Sequence, residues 1–281
     1  MNAFPEDPDS IQAPVRADSP PSEIRAALAP PPLDNPEPPD PAWNAFDLIR
    51  LSVLAIVALI GSMFAALFVA HWWLYPHWPL VQVARVPLVI IAGQAFAYLL
   101  IFAYMYILVA RERQRPDFLA AIHWNWPSSP AAYIAGGVVL SITLQLLANT
   151  LPMPKNLPID ALFRTPAEAW VLTIFSVTLA PLMEELFFRG FLYPVLARGV
   201  GMTGAIFITA FAFALMHGQQ LTYSWGPVLV IFLVGVVLTM IRAHKNSVAA
   251  GLVVHIAYNG TISTLMFIGT DGFRHLEKLS Q

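Results

Sequence analysis

A series of apolar runs without Asp, Glu, Lys or Arg is what most constrains the fold of this chain. The sequence is 57% hydrophobic and 11% charged, whereas soluble domains carry about 25% charged residues. A helix needs roughly 20 apolar residues to cross the bilayer core. The runs are continuous and lack the alternation of a membrane β-barrel. They are Leu51–Ala70, Val86–Ala110, Ala131–Leu151, Gly199–Ile241 and Asn246–Thr270.

The runs predict an all-α fold, a polytopic membrane helix bundle with about seven, or eight, transmembrane helices. Pro181 lies inside the fourth predicted helix and predicts a kink there, because proline removes a backbone donor. The seven predicted helices cover residues 46–71, 86–110, 131–151, 167–196, 203–217, 226–241 and 247–269.

Basic residues beside the apolar runs predict the orientation of the bundle. Arg111, Arg113 and Arg115 directly follow the second run, and arginines beside a membrane span stay in the cytoplasm. Arg198 and Arg242 fall on the same side after later spans. We therefore expect a multi-pass protein of the cell membrane (inner or plasma membrane) with a cytoplasmic N-terminus.

The N-terminal 43 residues differ in composition from the rest of the chain. They hold 12 of the 25 prolines and eight acidic residues against two arginines, a balance of −6 within a total of −2. This composition predicts a disordered tail. The remaining +4 is not gathered into a basic nucleic-acid face, so we expect no nucleic-acid partner. The chain has no cysteine, which excludes thiolate catalysis and cysteine-ligated metals.

Two adjacent carboxylates interrupt the apolar sequence. Glu184 and Glu185 are the only acidic residues between Val171 and Thr270. A charged side chain at the bilayer centre costs at least ~2.5 kcal/mol, so an intramembrane ionisable residue indicates a functional site. Arg189 lies one turn after Glu185, the spacing of an i,i+4 ion pair. Glu184 is then free to face a cavity as a general base for water.

Two later helices carry further polar groups. His217 follows Phe213 by four residues, and Asn259 follows His255 by four, so each pair shares a helix face. His217 can share the water with Glu184 or donate a proton, and His255 with Asn259 can stabilise a developing oxyanion. Taken singly, a Glu–Arg pair or a buried histidine is usually structural. Together, the groups match the needs of peptide hydrolysis without a side-chain nucleophile.

A metal site is a second interpretation of the same residues. Glu184, His217 and His255 offer three zinc ligands, the number expected at a catalytic zinc. The His-Glu-x-x-His helix of many zinc proteases is absent. We therefore assign no metal and favour metal-independent chemistry, with zinc bound by Glu184, His217 and His255 as the alternative.

The order Glu184-Glu185-x-x-x-Arg189, Phe213-x-x-x-His217 and His255-x-x-x-Asn259 resembles the CPBP family of CAAX-protease and bacteriocin-processing intramembrane proteases. The resemblance implies that Glu184 and His217 activate water and that His255 and Asn259 form the oxyanion site. Glu185 and Arg189, with Phe213, would support the site.

The resemblance divides the chain into four parts. These are the tail 1–43, N-terminal transmembrane helices 44–165, a catalytic transmembrane core 166–270 and a short polar tail 271–281. The implied function is an intramembrane endopeptidase that cleaves a membrane-anchored or lipidated, CAAX-like peptide, with membrane lipids as further partners. Two alternatives remain: a catalytically silent membrane protein that binds peptides in the same pocket, and a proton-coupled transporter, since buried Glu and His form proton relays.

Overall fold

The structure is a computed structural model that describes residues 40–154, 158 and 162–277. These residues form helices and no strands, as the apolar runs predict. The predictions for residues 1–39 and 278–281 lie outside the described residues. The helices are α1 (Ala45–Val69), α2 (Leu80–Val83), α3 (Pro87–Ile107), α4 (Phe118–Ala121), α5 (Pro130–Ala148), α6 (Pro166–Val177), α7 (Leu179–Glu185), α8 (Tyr193–Met216), α9 (Trp225–Lys245) and α10 (Val248–Gly269).

Six helical segments among the described residues are long and apolar enough to cross a membrane. Five contain 19 to 30 residues, and the sixth, Pro166–Met216, contains 51. At 1.5 Å per residue this segment is about 75 Å long, more than twice the thickness of a bilayer core. It breaks at Gly201, where φ is 74° and ψ is 169°, a conformation that glycine alone adopts readily. The 51-residue segment is therefore long enough for two crossings, which gives about seven in all.

The fourth predicted helix, 167–196, is not one continuous α-helix. It ends at Val177, turns at Thr178 and restarts as α7. The break lies three residues before Pro181, whose ring has no N–H for the carbonyl of Val177. After Glu185 the chain continues as a π-helix, Leu186–Leu192. The kink was predicted from the proline, whereas the π-helix was not.

Residues 40–43, the last four of the segment predicted as a tail, pack against the bundle. Trp43 is 1% exposed, its ring stacks on Phe191 at 4.6 Å between centroids, and its Nε1 donates to the carbonyl oxygen of Phe191. Arg198 donates to the carbonyl oxygens of Pro41 and Trp43. An indole with a partner for its N–H is a stable buried anchor. At the other end of the chain, Phe273 is also buried.

Three pairs of long helices make the most extensive contacts: α1 with α3, α5 with α10, and α8 with α9. Small residues allow close approach in such pairs. A Cβ atom on Gly137 of α5 would lie 2.5 Å from the carbonyl oxygen of Val254 in α10. This close approach fixes the helix that carries His255.

Polar contacts join several segments at one end of the bundle. Arg50 pairs with Glu112 at 2.8 Å, and Arg113 pairs with Asp47. The side chain of Asn125 donates to the carbonyl oxygen of Asn246 at 2.8 Å. The arginines on which the orientation was predicted therefore lie together. We call this the basic end; it comprises residues 40–50, 111–125, 193–198 and 242–247.

Candidate active site

Glu184 lies between two imidazole rings in the interior of the bundle. It occupies the last turn of α7, where its side chain is 12% exposed. Its Oε1 lies 3.7 Å from Nε2 of His217, and its Oε2 lies 3.6 Å from Nε2 of His255. Both distances exceed those of direct hydrogen bonds. Separations of this size are those that a water molecule can bridge.

His217 is held by a backbone carbonyl on its own helix. It caps the C-terminus of α8, and its Nδ1 lies 2.8 Å from the carbonyl oxygen of Phe213. A carbonyl oxygen can only accept, so Nδ1 carries the hydrogen. In the neutral ring Nε2 is then an unprotonated acceptor that faces Glu184. A water molecule between Glu184 and His217 can donate one hydrogen bond to each, and the lone pairs on its oxygen are then free for another contact.

Glu185 and Arg189 form the predicted ion pair, and both side chains are fully buried. Nη1 of Arg189 donates to Oε1 of Glu185 at 2.9 Å. Its other donors reach Oγ1 of Thr239 at 3.3 Å and the carbonyl oxygen of Gly235 at 3.0 Å. Each of these bonds to α9 compensates part of the desolvation of a buried guanidinium.

The same carboxylate also orients His255. Nδ1 of His255 lies 3.0 Å from Oε1 of Glu185, so the ring donates through Nδ1 and directs Nε2 toward Glu184. Oε2 of Glu185 has no hydrogen-bond partner among the described residues. It lies against Gly251, where a Cβ atom would be 2.8 Å away. Hydrogen bonds to Oε1 therefore hold the carboxylate in place, and Gly251 leaves the space that Oε2 occupies.

Phe213 lies at the centre of the charged groups. Its ring is 4.7 Å from the His217 ring and 5.9 Å from the His255 ring, measured between centroids. The Arg189 guanidinium lies 4.7 Å from the centroid of the same ring, the position of a cation–π contact. Phe213 is 1% exposed. It therefore packs the two imidazoles and the guanidinium around one apolar surface.

Asn259 is placed one turn after His255, but the described hydrogen bond of its amide leads elsewhere. Its Nδ2 donates to the carbonyl oxygen of Ser176 at 2.8 Å. This carbonyl lies beside the break at Thr178, where the regular helical ladder is interrupted. Asn259 thus ties α10 to the kink that precedes Glu184. An amide nitrogen carries two hydrogens, so one donor remains.

The cluster contains two carboxylates and one guanidinium. With both imidazoles neutral its net charge is −1, because Arg189 balances the charge of one of the two carboxylates.

The three residues considered for zinc are neighbours but do not form a metal-holding group. Within the described part of the chain, no three His, Cys, Asp or Glu residues are placed to hold an ion. Nδ1 of His217 and Nδ1 of His255 are both engaged with protein oxygens. These contacts leave the Nε2 atom of each ring as its free ligand atom, and no step below passes through a metal.

Three contributors to the site were not foreseen: the carbonyl of Gly235, the hydroxyl of Thr239 and the empty space at Gly251. Each belongs to a helix whose sequence is apolar around it. A glycine inside a helical pattern can mark close backbone approach, and that was the available signal for Gly235 and Gly251. Thr239 is four residues after Gly235 and shares its helix face.

Residues 166–261 match the family model described as type II CAAX prenyl endopeptidase Rce1-like. The matched segment is about a third of the chain and contains all seven predicted site residues. No curated protein and no solved structure matches the chain.

Proposed function

We propose that the protein hydrolyses a peptide bond in a membrane-anchored or lipidated peptide, because the segment that carries the site matches the type II CAAX prenyl endopeptidase Rce1-like model. The observation that carries this proposal is the position of Glu184 between two imidazole Nε2 atoms at 3.7 and 3.6 Å. A water in this space meets two acceptors and is activated for attack.

The proposed reaction begins with that water. Glu184 takes a proton from it while His217 accepts its second hydrogen bond, and the oxygen attacks the carbonyl carbon of the scissile bond. The tetrahedral oxyanion receives hydrogen bonds from Nε2–H of His255, in its protonated form, and from the remaining amide hydrogen of Asn259. Glu184 then passes its proton to the leaving nitrogen, the C–N bond breaks, and a carboxylic acid and an amine are released.

Glu185, Arg189 and Phe213 act in this proposal by positioning. The Arg189–Glu185 pair supplies an ionised acceptor for Nδ1–H of His255, which orients the ring so that Nε2 faces the oxyanion. Phe213 fixes the distance between the two rings. A group placed about 1 Å from its productive position can cost roughly a hundredfold in rate.

The first test compares wild type with Glu184→Gln. Both proteins, purified in detergent, are incubated with membrane-anchored and prenylated peptides, and the products are identified by mass spectrometry. We expect cleavage by wild type and a loss of at least about 10³-fold in the variant, with unchanged thermal unfolding, because an amide cannot accept the proton.

Glu168→Gln is the matched control, since Glu168 lies at the start of α6, where its carboxylate accepts a hydrogen bond from the hydroxyl of the N-cap residue Thr165. It should cleave like wild type. Cleavage by Glu184→Gln at the wild-type rate would contradict the assignment of the base. Peptide binding without turnover in wild type would favour the silent binding protein instead.

Metal content separates the proposed chemistry from a metalloprotease. We expect purified, active protein to contain less than about 0.1 zinc per chain by inductively coupled plasma mass spectrometry and to keep its activity in a chelator. About one tightly bound ion per chain, lost together with activity, would contradict metal-independent hydrolysis.

A further inference from the structure

A second polar site lies at the basic end, separate from Glu184. It is a cavity of about 280 Å³ between the start of α8, the end of α9 and the segment that precedes α1. Its polar lining includes Arg198, Arg242, Asp40, His123, Asn246 and Tyr193. The proposed protease chemistry uses none of these side chains.

Arg242 is a buried cation whose hydrogen bonds end on neutral oxygens. It is 4% exposed. Its Nε donates to the carbonyl oxygen of Arg189 at 3.1 Å, and its Nη1 donates to Oδ1 of Asn246. The guanidinium lies 5.7 Å from the centroid of the Tyr193 ring. None of these partners carries a negative charge.

Arg198, which is exposed, also lines the cavity, and its hydrogen bonds likewise end on neutral oxygens. Its Nη1 and Nη2 donate to the carbonyl oxygens of Pro41 and Trp43. Among the described residues, neither Arg198 nor Arg242 forms an ion pair with a carboxylate. Two positive charges therefore line one cavity, and each guanidinium has five N–H donors, more than these bonds use.

The carboxylate in the lining is already engaged. Oδ2 of Asp40 lies 2.8 Å from Nε2 of His123. Nδ1 of His123 lies 3.1 Å from the side-chain nitrogen of Asn246, whose oxygen accepts from Arg242. The amide nitrogen can only donate, so His123 accepts at Nδ1 and donates from Nε2 to Asp40. This chain of hydrogen bonds directs the carboxylate toward His123, and the charge of Asp40 also acts on Arg242 through space.

From this arrangement we propose that the cavity binds a phosphate group on Arg198 and Arg242. Guanidinium groups present paired N–H donors that match phosphate oxygens. The cavity lies at the end of α9, a helix that is long and apolar enough to cross a membrane, and basic pockets between transmembrane helices bind anionic headgroups. The phosphate comes either from an anionic phospholipid or from a free anion, and both offer the same oxygens to the two arginines.

The test measures lipid retention and phosphate binding by the full-length protein. In the first arm, protein in detergent is equilibrated with phosphatidylglycerol and phosphatidylcholine, and native mass spectrometry counts the lipid retained. In the second, sodium phosphate is titrated into delipidated protein in a calorimeter. The variants are Arg198→Gln, Arg242→Gln and the charge-preserving Arg198→Lys. Lys245→Gln is the control, because Lys245 is exposed and lies in the same last turn of α9.

We expect wild type to prefer phosphatidylglycerol over phosphatidylcholine by at least about tenfold. Each Gln variant should lower binding about tenfold or more, since a hydrogen bond to a charged group is worth about 1.5–3 kcal/mol. Arg198→Lys should retain part of the binding, and Lys245→Gln should stay within twofold of wild type. Lipid retention without phosphate binding assigns the site to a headgroup, and binding in the second arm alone assigns it to a free anion.

The proposal is overturned if wild type shows neither lipid preference nor phosphate binding. It is equally overturned if Lys245→Gln loses as much binding as the cavity variants, since the effect is then that of surface charge. If a Gln variant elutes as an aggregate, Arg198→Lys is used in its place. Phosphate or lipid binding by Arg198→Lys at or above the wild-type level would contradict a bidentate contact with the arginine. Protease activity is not part of the readout, so the outcome is independent of the proposed function.

Discussion

Glu185 and Arg189 show how two charged side chains can be stabilised in the interior of a membrane protein. Neither side chain is exposed, and their mutual contact is one of four that hold them, beside those to Thr239, Gly235 and His255. A buried pair is tolerated when further hydrogen bonds satisfy the remaining donors and acceptors. Removing one member leaves the other as an uncompensated charge.

Arg189→Met tests that dependence. The methionine fills similar space without charge, so the carboxylate of Glu185 is left beside His255 alone. We expect a loss of about 3–5 kcal/mol in the free energy of unfolding, measured by equilibrium unfolding in mixed micelles. The double variant Glu185→Gln with Arg189→Met should recover part of that loss.

The control is Arg274→Met. Arg274 forms an exposed pair with Asp271, and exposed pairs contribute about 0–1 kcal/mol. If Arg189→Met were as stable as Arg274→Met, the buried pair would not stabilise the fold as described.

For these two residues, the sequence predicts the Glu185–Arg189 pair but not the contacts that the pair makes with other helices. Spacing alone places Arg189 one turn after Glu185, because the contact lies within one helix. The contacts to Gly235, Thr239 and His255 join residues 46 to 70 positions apart. They depend on how separate helices pack, and no local pattern encodes that.

Among the helices, the segment 166–192 that carries Glu184 is interrupted, and the cause of its first break can be identified. Pro181 interrupts the helix at Thr178, and Asn259 donates to the carbonyl oxygen of Ser176 beside the break. Glu184 follows within one turn of the proline, and the π-helix begins at Leu186. Such π segments occur often at functional sites. They leave no periodic signature in the sequence, whereas the proline does.

Gly137 and Gly136 offer a matched test of helix packing. A Cβ atom on Gly137 would lie 2.5 Å from the carbonyl oxygen of Val254, whereas one on Gly136 meets nothing within 4 Å. Gly137→Ala should separate α5 from α10, cost about 1–3 kcal/mol in the free energy of unfolding and lower peptide cleavage, because α10 carries His255.

Gly136→Ala should be neutral or more stable by up to about 1 kcal/mol, since alanine favours the helix. Thermal unfolding and peptide cleavage are measured on both variants side by side. Equal stability of the two would show that α5 and α10 do not approach each other as closely as described.

The whole molecule is a multi-pass helical membrane protein, and its orientation stays a prediction from the basic residues. The chain has no cysteine, so a single introduced cysteine is labelled uniquely. Ser128 precedes α5 close to the basic end, and His77 lies in the connection between α1 and α3; both are exposed. A membrane-impermeant maleimide added to intact cells should label His77→Cys and leave Ser128→Cys unlabelled until the cells are opened.

The opposite labelling pattern would place the basic end and the N-terminus outside. It would also reverse the side from which a peptide reaches the site. His255 lies seven residues after Val248, about 10 Å along α10 from the basic end. The labelling result therefore shows from which face of the membrane the distance of about 10 Å to His255 is counted.

The anchor at Trp43 has a consequence for the time order of biosynthesis. Its partner Phe191 follows 148 residues later, so at about 5–20 residues per second the indole waits roughly 7–30 s for its binding surface. During that interval α1 and α3 are already synthesised, while the residues that cover Trp43 are still to come. Closure of this contact therefore requires that the ribosome has passed residue 191, and in a chain that stalls earlier the indole of Trp43 lacks this partner.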